Sequence, residues 1–212
     1  MTEYYIPTGH SETELVEKRS RFIGQVWRVG SEEEARARIE ETRKRFYDAR
    51  HNCWCYRLRE GGVERYSDDG EPQGTAGQPM LNVFQREEVA DVVCVVTRYF
   101  GGILLGAGGL VRAYTQGAKD ALDAAGLSVV RRWMSGELAC TYAQFESMRR
   151  EVLSFGGAVE ETDYGADVVL SVLLPEERTE EFAARVLDLT AGTAELLLGE
   201  ARLLDVPCRP PQ

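Results

Sequence analysis

The sequence is short of the residues on which catalytic and metal centres usually draw. Its 212 residues include 2 histidines, 5 cysteines and 3 tryptophans. With His10 and His51 alone, the choice of general base is narrow, and no G-x-S-x-G nucleophile elbow is present. The five cysteines (Cys53, Cys55, Cys94, Cys140, Cys208) are scattered and odd in number, so they read as reduced thiols rather than a disulfide framework. Long apolar runs are missing too. The longest, Val92–Val96, has five residues, against the roughly 18 a membrane helix needs. The opening Met-Thr-Glu-Tyr-Tyr-Ile-Pro lacks the basic and apolar regions of a signal peptide, so a cytoplasmic protein is expected.

Basic charge is scarce overall, with 25 Lys+Arg against 35 Asp+Glu and a net charge of −10. That total argues against nucleic acid until the chain is divided at Ser135. Residues 1–135 hold 19 basic and 20 acidic side chains, a net of −1. Residues 136–212 hold 6 and 15, a net of −9. The deficit therefore belongs to the C-terminal third, and local charge decides whether a polyanion can approach.

What is present is enough for folded domains. An apolar share of 43% supports packed cores and excludes collagen, coiled coil and bulk disorder. A strand is expected at 21–29. Ser31 and Glu34 then form a capping box, opening a helix with Ala35, Ile39 and Phe46 on one stripe. Strands follow at 52–58 and 63–66, turning at Gly61-Gly62. A turn-rich loop covers 67–78 and a short helix 80–86. The run Val92–Val96, within 91–99, reads as a strand buried on both faces. A glycine loop then leads to a helix over 108–125, with Gly126 at its C-cap. The remainder reads as strand 137–142, a helix stopped at Gly156-Gly157, a hairpin (158–164, 167–174), a helix opened by Pro175, and a last strand within 194–206 broken at Gly199. That order is βαββαβ. The expected fold class is α+β in two domains, 1–135 and 136–212.

Two loops carry the unusual chemistry. The first, Ser67-Asp68-Asp69-Gly70-Glu71-Pro72-Gln73-Gly74-Thr75-Ala76-Gly77, offers three carboxylates that either hold Mg²⁺ or cap their own turns. Thr75 is a candidate helix cap. The second, Arg98-Tyr99-Phe100-Gly101-Gly102-Ile103-Leu104-Leu105-Gly106-Ala107-Gly108-Gly109, joins a buried strand to the helix bearing Arg112 and Tyr114. Its glycines permit close backbone approach, and the following helix N-terminus favours anions. Neither the Walker A lysine nor the G-x-G-x-x-G pattern is present, so a phosphate site and a tight packing joint both stay open. His51, Cys53 and Cys55 share one strand face, but three ligands fall short of a tetrahedral zinc site, and buried thiols are the simpler reading.

These two loops, with Arg21-Phe22-Ile23 and the His51 region, closely resemble the signatures of the IMPACT family, in its bacterial YigZ branch. The resemblance spans nearly the whole chain. It implies a first domain like the second domain of ribosomal protein S-five. It also implies a ferredoxin-like second domain similar to the C-terminal domain of elongation factor G. Eukaryotic relatives are translational regulators on the pathway that senses amino-acid starvation, and they carry a different domain ahead of the shared one. No catalytic residues and no cofactor come with the family, and Cys53-Trp54-Cys55 departs from its pattern.

The expectation is thus a non-catalytic regulator of translation that binds RNA, the ribosome or a protein partner. Its site would comprise His51, Asp68, Asp69, Gly70, Glu71, Pro72, Gly74 and Thr75 on one side. Arg98, Tyr99, Gly101, Gly102, Gly106, Gly108, Gly109, Arg112 and Tyr114 would form the other. A nucleotide- or phosphate-binding enzyme, using Gly101–Gly109 with Mg²⁺ held by Asp68, Asp69 and Glu71, is the alternative.

Overall fold

A computed structural model describes residues 3–211. The chain forms two compact units. One comprises Tyr4–Val129 together with the C-terminal residues from Pro207; the other is Val130–Val206 with Glu3. Both are mixtures of strands and helices, as the α+β expectation requires.

The first unit contains β1 (Tyr4–Pro7), β2 (Ser11–Glu17), β3 (Ser20–Arg28), α1 (Glu32–Arg45), β4 (His51–Leu58), β5 (Val63–Ser67), α2 (Gly77–Arg86), β6 (Val92–Tyr99) and α3 (Ala107–Ala125). Strands pair antiparallel in the order β2-β3-β6-β4-β5, so the apolar run lies at the centre of the sheet. Alternation sends Val92, Cys94 and Val96 into the core with Met80, Phe84, Tyr114 and Leu122 of α2 and α3. Val93 and Val95 point the other way, onto Ala35 and Ile39 of α1. This is why the run carries no polar residue. Ser31 accepts the Glu34 N–H at 3.2 Å while the Glu34 carboxylate accepts the Gly30 N–H at 2.7 Å, fixing the start of α1. Phe46 closes that helix as its C-cap.

The second unit is built from β7 (Leu127–Cys140), α4 (Tyr142–Ser154), β8 (Ala158–Tyr164), β9 (Val168–Pro175), α5 (Thr179–Thr190) and β10 (Glu195–Arg209). β9 pairs antiparallel with β7 and β8, while β10 lies on the other edge of β7. The spatial order β10-β7-β9-β8 is that of the ferredoxin-like βαββαβ fold. Phe182 and Val186 of α5 and Met148 and Val152 of α4 cover one face of it.

Four features differ from the sequence reading. β1 and β2 were not anticipated, because Ser11-Glu12-Thr13-Glu14-Leu15-Val16-Glu17 has too few apolar residues to show alternation. β7 begins at Leu127, ten residues earlier than the strand expected from 137, and carries the chain from one unit into the other. Pro175 ends β9, and α5 starts only at Thr179 after a 3-10 turn. β10 is unbroken at Gly199. A Cβ there would stand 2.5 Å from Ser135 Oγ of β7, so this glycine marks close strand approach rather than an interruption.

Candidate functional site

The two motif loops meet at one end of the first unit's sheet. Register places His51, the first residue of β4, opposite Arg98 near the end of β6. Around this pair the first loop folds back on itself through its own carboxylates. Asp68 accepts the N–H groups of Gly74 (2.8 Å), Ala76 (3.0 Å) and Gly77 (2.9 Å). It thereby caps α2 from outside the helix, where Ala76 at the N-cap has no side chain to do so. Thr75, the expected cap, instead donates its hydroxyl to the Pro72 carbonyl at 2.7 Å.

Asp69 works on the neighbouring strand. Its carboxylate accepts the Asn52 N–H (2.7 Å) and pairs with Arg43 of α1 (3.1 Å). Its carbonyl accepts from His51 Nδ1 at 2.8 Å, which fixes the ring tautomer with the proton on Nδ1. The Cys53 thiol donates to the Asp68 carbonyl at 3.0 Å.

Glu71 joins the two loops. One carboxylate oxygen accepts both Arg98 Nη1 at 2.7 Å and the Tyr114 hydroxyl at 2.8 Å. The Arg98 guanidinium lies over the rings of Phe22 and Phe100, each at 5.5 Å. Burial pushes the Cys53 thiol and the Tyr114 hydroxyl up from their ordinary ranges, and neighbouring negative groups add to this. Both stay neutral at physiological pH.

The second loop is held against the β2–β3 turn. Gly101 donates its N–H to Ser20 Oγ at 3.2 Å, and a Cβ on it would stand 2.0 Å from the Arg19 carbonyl carbon. Only glycine fits there. Tyr99 donates its hydroxyl to Asp48 at 2.7 Å. Gly106 starts α3 at φ 72° with no side-chain cap.

The structure therefore divides the expected site residues. Gly70, Pro72, Gly74, Gly102, Gly106, Gly108 and Arg112 are exposed; His51, Asp68, Asp69, Tyr99, Gly101 and Gly109 are half-buried. Glu71, Thr75, Arg98 and Tyr114 are buried. Glu71 and Arg98 consequently do not face outward with the other expected site residues; they form the internal fastening beneath them. Nor do Asp68, Asp69 and Glu71 converge as Mg²⁺ ligands, because each turns to a different set of internal donors. Among the described residues, no group of three or more His, Cys, Asp or Glu side chains is placed to hold a metal ion. Cys53 and Cys55 are fully buried in the core, and Cys55 lies opposite Cys94.

What the sequence left unmarked is the outer surface. Phe100, Ile103 and Leu104 are exposed between the glycines, Leu104 at 82%. Beside them stand Lys18, Arg19 and Arg112, all exposed and in no hydrogen bond or ion pair among the described residues. Lys18 and Arg19 sit in the left-handed backbone region (φ 46° and 66°) at the tip of the hairpin closed by Glu17 and Ser20. No motif announced them, since Asn-Gly rather than Lys-Arg is the usual signature of that turn.

Comparison with known proteins places this geometry. Over 203 residues the chain is 34% identical to the IMPACT family member YvyE of Bacillus subtilis, covering 95% of this chain and 94% of the relative. The chain belongs to the IMPACT family. It is 39% identical over 185 residues to the family member YigZ of Escherichia coli, covering 85% and 90% of the two chains. Residues 18–122 match the Impact N-terminal domain, and residues 138–193 match a domain of unknown function, DUF1949. A crystal structure described as that of a hypothetical protein superimposes with a TM-score of 0.58 at 35% identity, covering 94% of this chain and 98% of its own. Both loops and the residues that fasten them fall inside the Impact N-terminal match. No helix among the described residues is long and apolar enough to cross a membrane.

Proposed function

We propose that this IMPACT-family protein is a non-catalytic regulator of translation that binds RNA through the loop end of its first unit. The observation that carries the reading is the fate of the loop carboxylates. Asp68, Asp69 and Glu71 are all spent on backbone N–H groups, Arg43, Arg98 and Tyr114. A metal-dependent site needs such groups free to converge on one point. Here the loops present glycine backbone, apolar side chains and unpaired cations, which is how a surface recognises a phosphate backbone and stacked bases.

The translational part of the reading is supported by family membership, the eukaryotic relatives being translational regulators. The net charge of −1 over residues 1–135 leaves the local cations effective, while the acidic second unit presents a poor surface to a polyanion. Filter binding of the full chain to RNA, and co-sedimentation with ribosomes, both at low salt, test this reading. Retention that weakens steeply with salt is expected. Absence of association with either at low salt overturns it.

The uncapped start of α3 at Gly106 favours a second reading, a phosphate- or nucleotide-binding enzyme. Thermal shift with nucleotides and Mg²⁺ separates the two. A ligand at 100 times its Kd adds about 2.7 kcal/mol, and no shift with any nucleotide or phosphate ester removes this alternative.

A further inference from the structure

A cleft of about 260 Å³ opens between β2 and α3, beside the glycine loop. Leu15 and Leu105 form its apolar walls, Gly109 and Ala113 line it from α3, and Lys18 and Arg112 bring the charge. Glu17 is the one acid among the lining residues. The cleft thus sets the apolar side chains of Leu15 and Leu105 beside two cations, and neither cation has a partner among the described residues.

Two local features look built for this arrangement. Lys18 and Arg19 occupy a two-residue hairpin tip in left-handed conformations, where glycine and asparagine are the favourable residues. The chain accepts the backbone strain and places cations there. Gly101 packs against the Arg19 carbonyl and Ser20, so the strained turn is held rather than mobile. On the helix side, Gln116, which also lines the cleft, commits an amide N–H to Asp120 at 2.7 Å.

We propose that this cleft seats one nucleotide of single-stranded RNA: the base lies between Leu15 and Leu105, and its phosphate meets Lys18 and Arg112. The proposal rests on the RNA-binding reading above and gives it a substrate class. A simple anion would need the cations but not the apolar walls. A duplex must unstack and unpair a base to deliver it to such a cleft, at a cost in free energy, whereas an unpaired strand splays a base into it without that cost. On the loop that carries Leu105, the exposed Phe100 provides a ring on which an adjoining base can stack, with Ile103 and Leu104 as apolar contacts beside it.

The test is fluorescence anisotropy of the full chain with a labelled oligouridylate and with an RNA duplex of equal length, at several salt concentrations. The single strand is expected to bind at least tenfold more tightly than the duplex. The doubly substituted Lys18→Gln, Arg112→Gln chain should bind the single strand about tenfold more weakly at low salt, with a shallower salt dependence. Leu105→Glu should abolish the preference for the single strand. Circular dichroism checks the fold of each variant; should Leu105→Glu fail to fold, the double variant at two exposed positions carries the test. Equal binding of both RNAs, with the substitutions weakening both alike, overturns the cleft proposal while leaving the RNA-binding reading in place. No binding of either RNA overturns both.

Discussion

Glu71 and Arg98, 27 residues apart in the chain, form an ion pair of 2.7 Å whose side chains are only 3% and 8% exposed. One residue comes from each motif loop or its border, so the pair explains why both signatures occur together in one domain. Removing a single partner from such a pair leaves a buried charge without compensation.

Arg98→Ala should therefore lower unfolding stability by about 3–5 kcal/mol in chemical denaturation. The double replacement Glu71→Leu, Arg98→Met removes both charges and should recover part of that loss, the Tyr114 hydroxyl being left without its Glu71 acceptor. If Arg98→Ala and the double variant are equally destabilised, the ion pair is not what holds the loops.

Two glycines in the same loop should respond oppositely to alanine. At Gly101 the new Cβ would meet the Arg19 backbone at 2.0 Å, so roughly 2–4 kcal/mol of stability should be lost. At Gly108 the nearest contact is Arg112 Nη1 at 3.9 Å, and the residue is helical. Gly108→Ala should be neutral or stabilising by up to about 1 kcal/mol. Thermal or urea melts of the two variants check both signs.

Acid should loosen the C-terminal tail. Burial opposes ionisation of Glu87, but hydrogen bonds from Arg209 (2.8 Å) and Lys119 win and hold its carboxyl below the ordinary value of 4.5. A carboxyl depressed in the folded state contributes stability that is present above 4.5 and is lost as pH falls through its folded value. Exchange of the Cys208 and Arg209 amide protons, the two that residues 207–211 carry, should accelerate as pH falls below 4.5, relative to intrinsic rates. Glu87→Gln should remove this acid dependence.

The five cysteines should react in two classes. Cys208 is exposed, while Cys53, Cys55, Cys94 and Cys140 are buried. Burial raises the thiols of Cys53, Cys55 and Cys140, which suppresses the reactive thiolate. A chromogenic disulfide reagent should titrate one thiol quickly in native protein and the other four only on unfolding.

Much of this architecture was legible in the sequence because it follows from burial. Val92–Val96 declared a strand covered on both sides, and Ser31 with Glu34 declared the start of α1. The alternation of elements after Ser135 declared the ferredoxin-like unit. The loops stood out by composition but concealed the division of labour among their residues. Nothing in Asp68-Asp69-Gly70-Glu71 distinguishes carboxylates turned inward from carboxylates offered to a metal, because their donors lie up to 43 residues away. The Lys18-Arg19 turn was hidden for a related reason: its conformation goes with the two-residue connection between β2 and β3 rather than with the preferences of its own residues, and Gly101, packed against it, is distant in sequence.

The most direct measurement of the central claim is the salt dependence of RNA affinity for the full chain and for the triple variant Lys18→Gln, Arg19→Gln, Arg112→Gln. If Lys18 and Arg112 meet one phosphate and Arg19 a neighbouring one, log affinity should fall linearly with log salt. The variant should lose about 1.4 units of slope, at roughly 0.7 per single-strand phosphate. A wild-type slope near zero, or one unchanged in the variant, would contradict the claim that RNA is held at the loop end of the first unit.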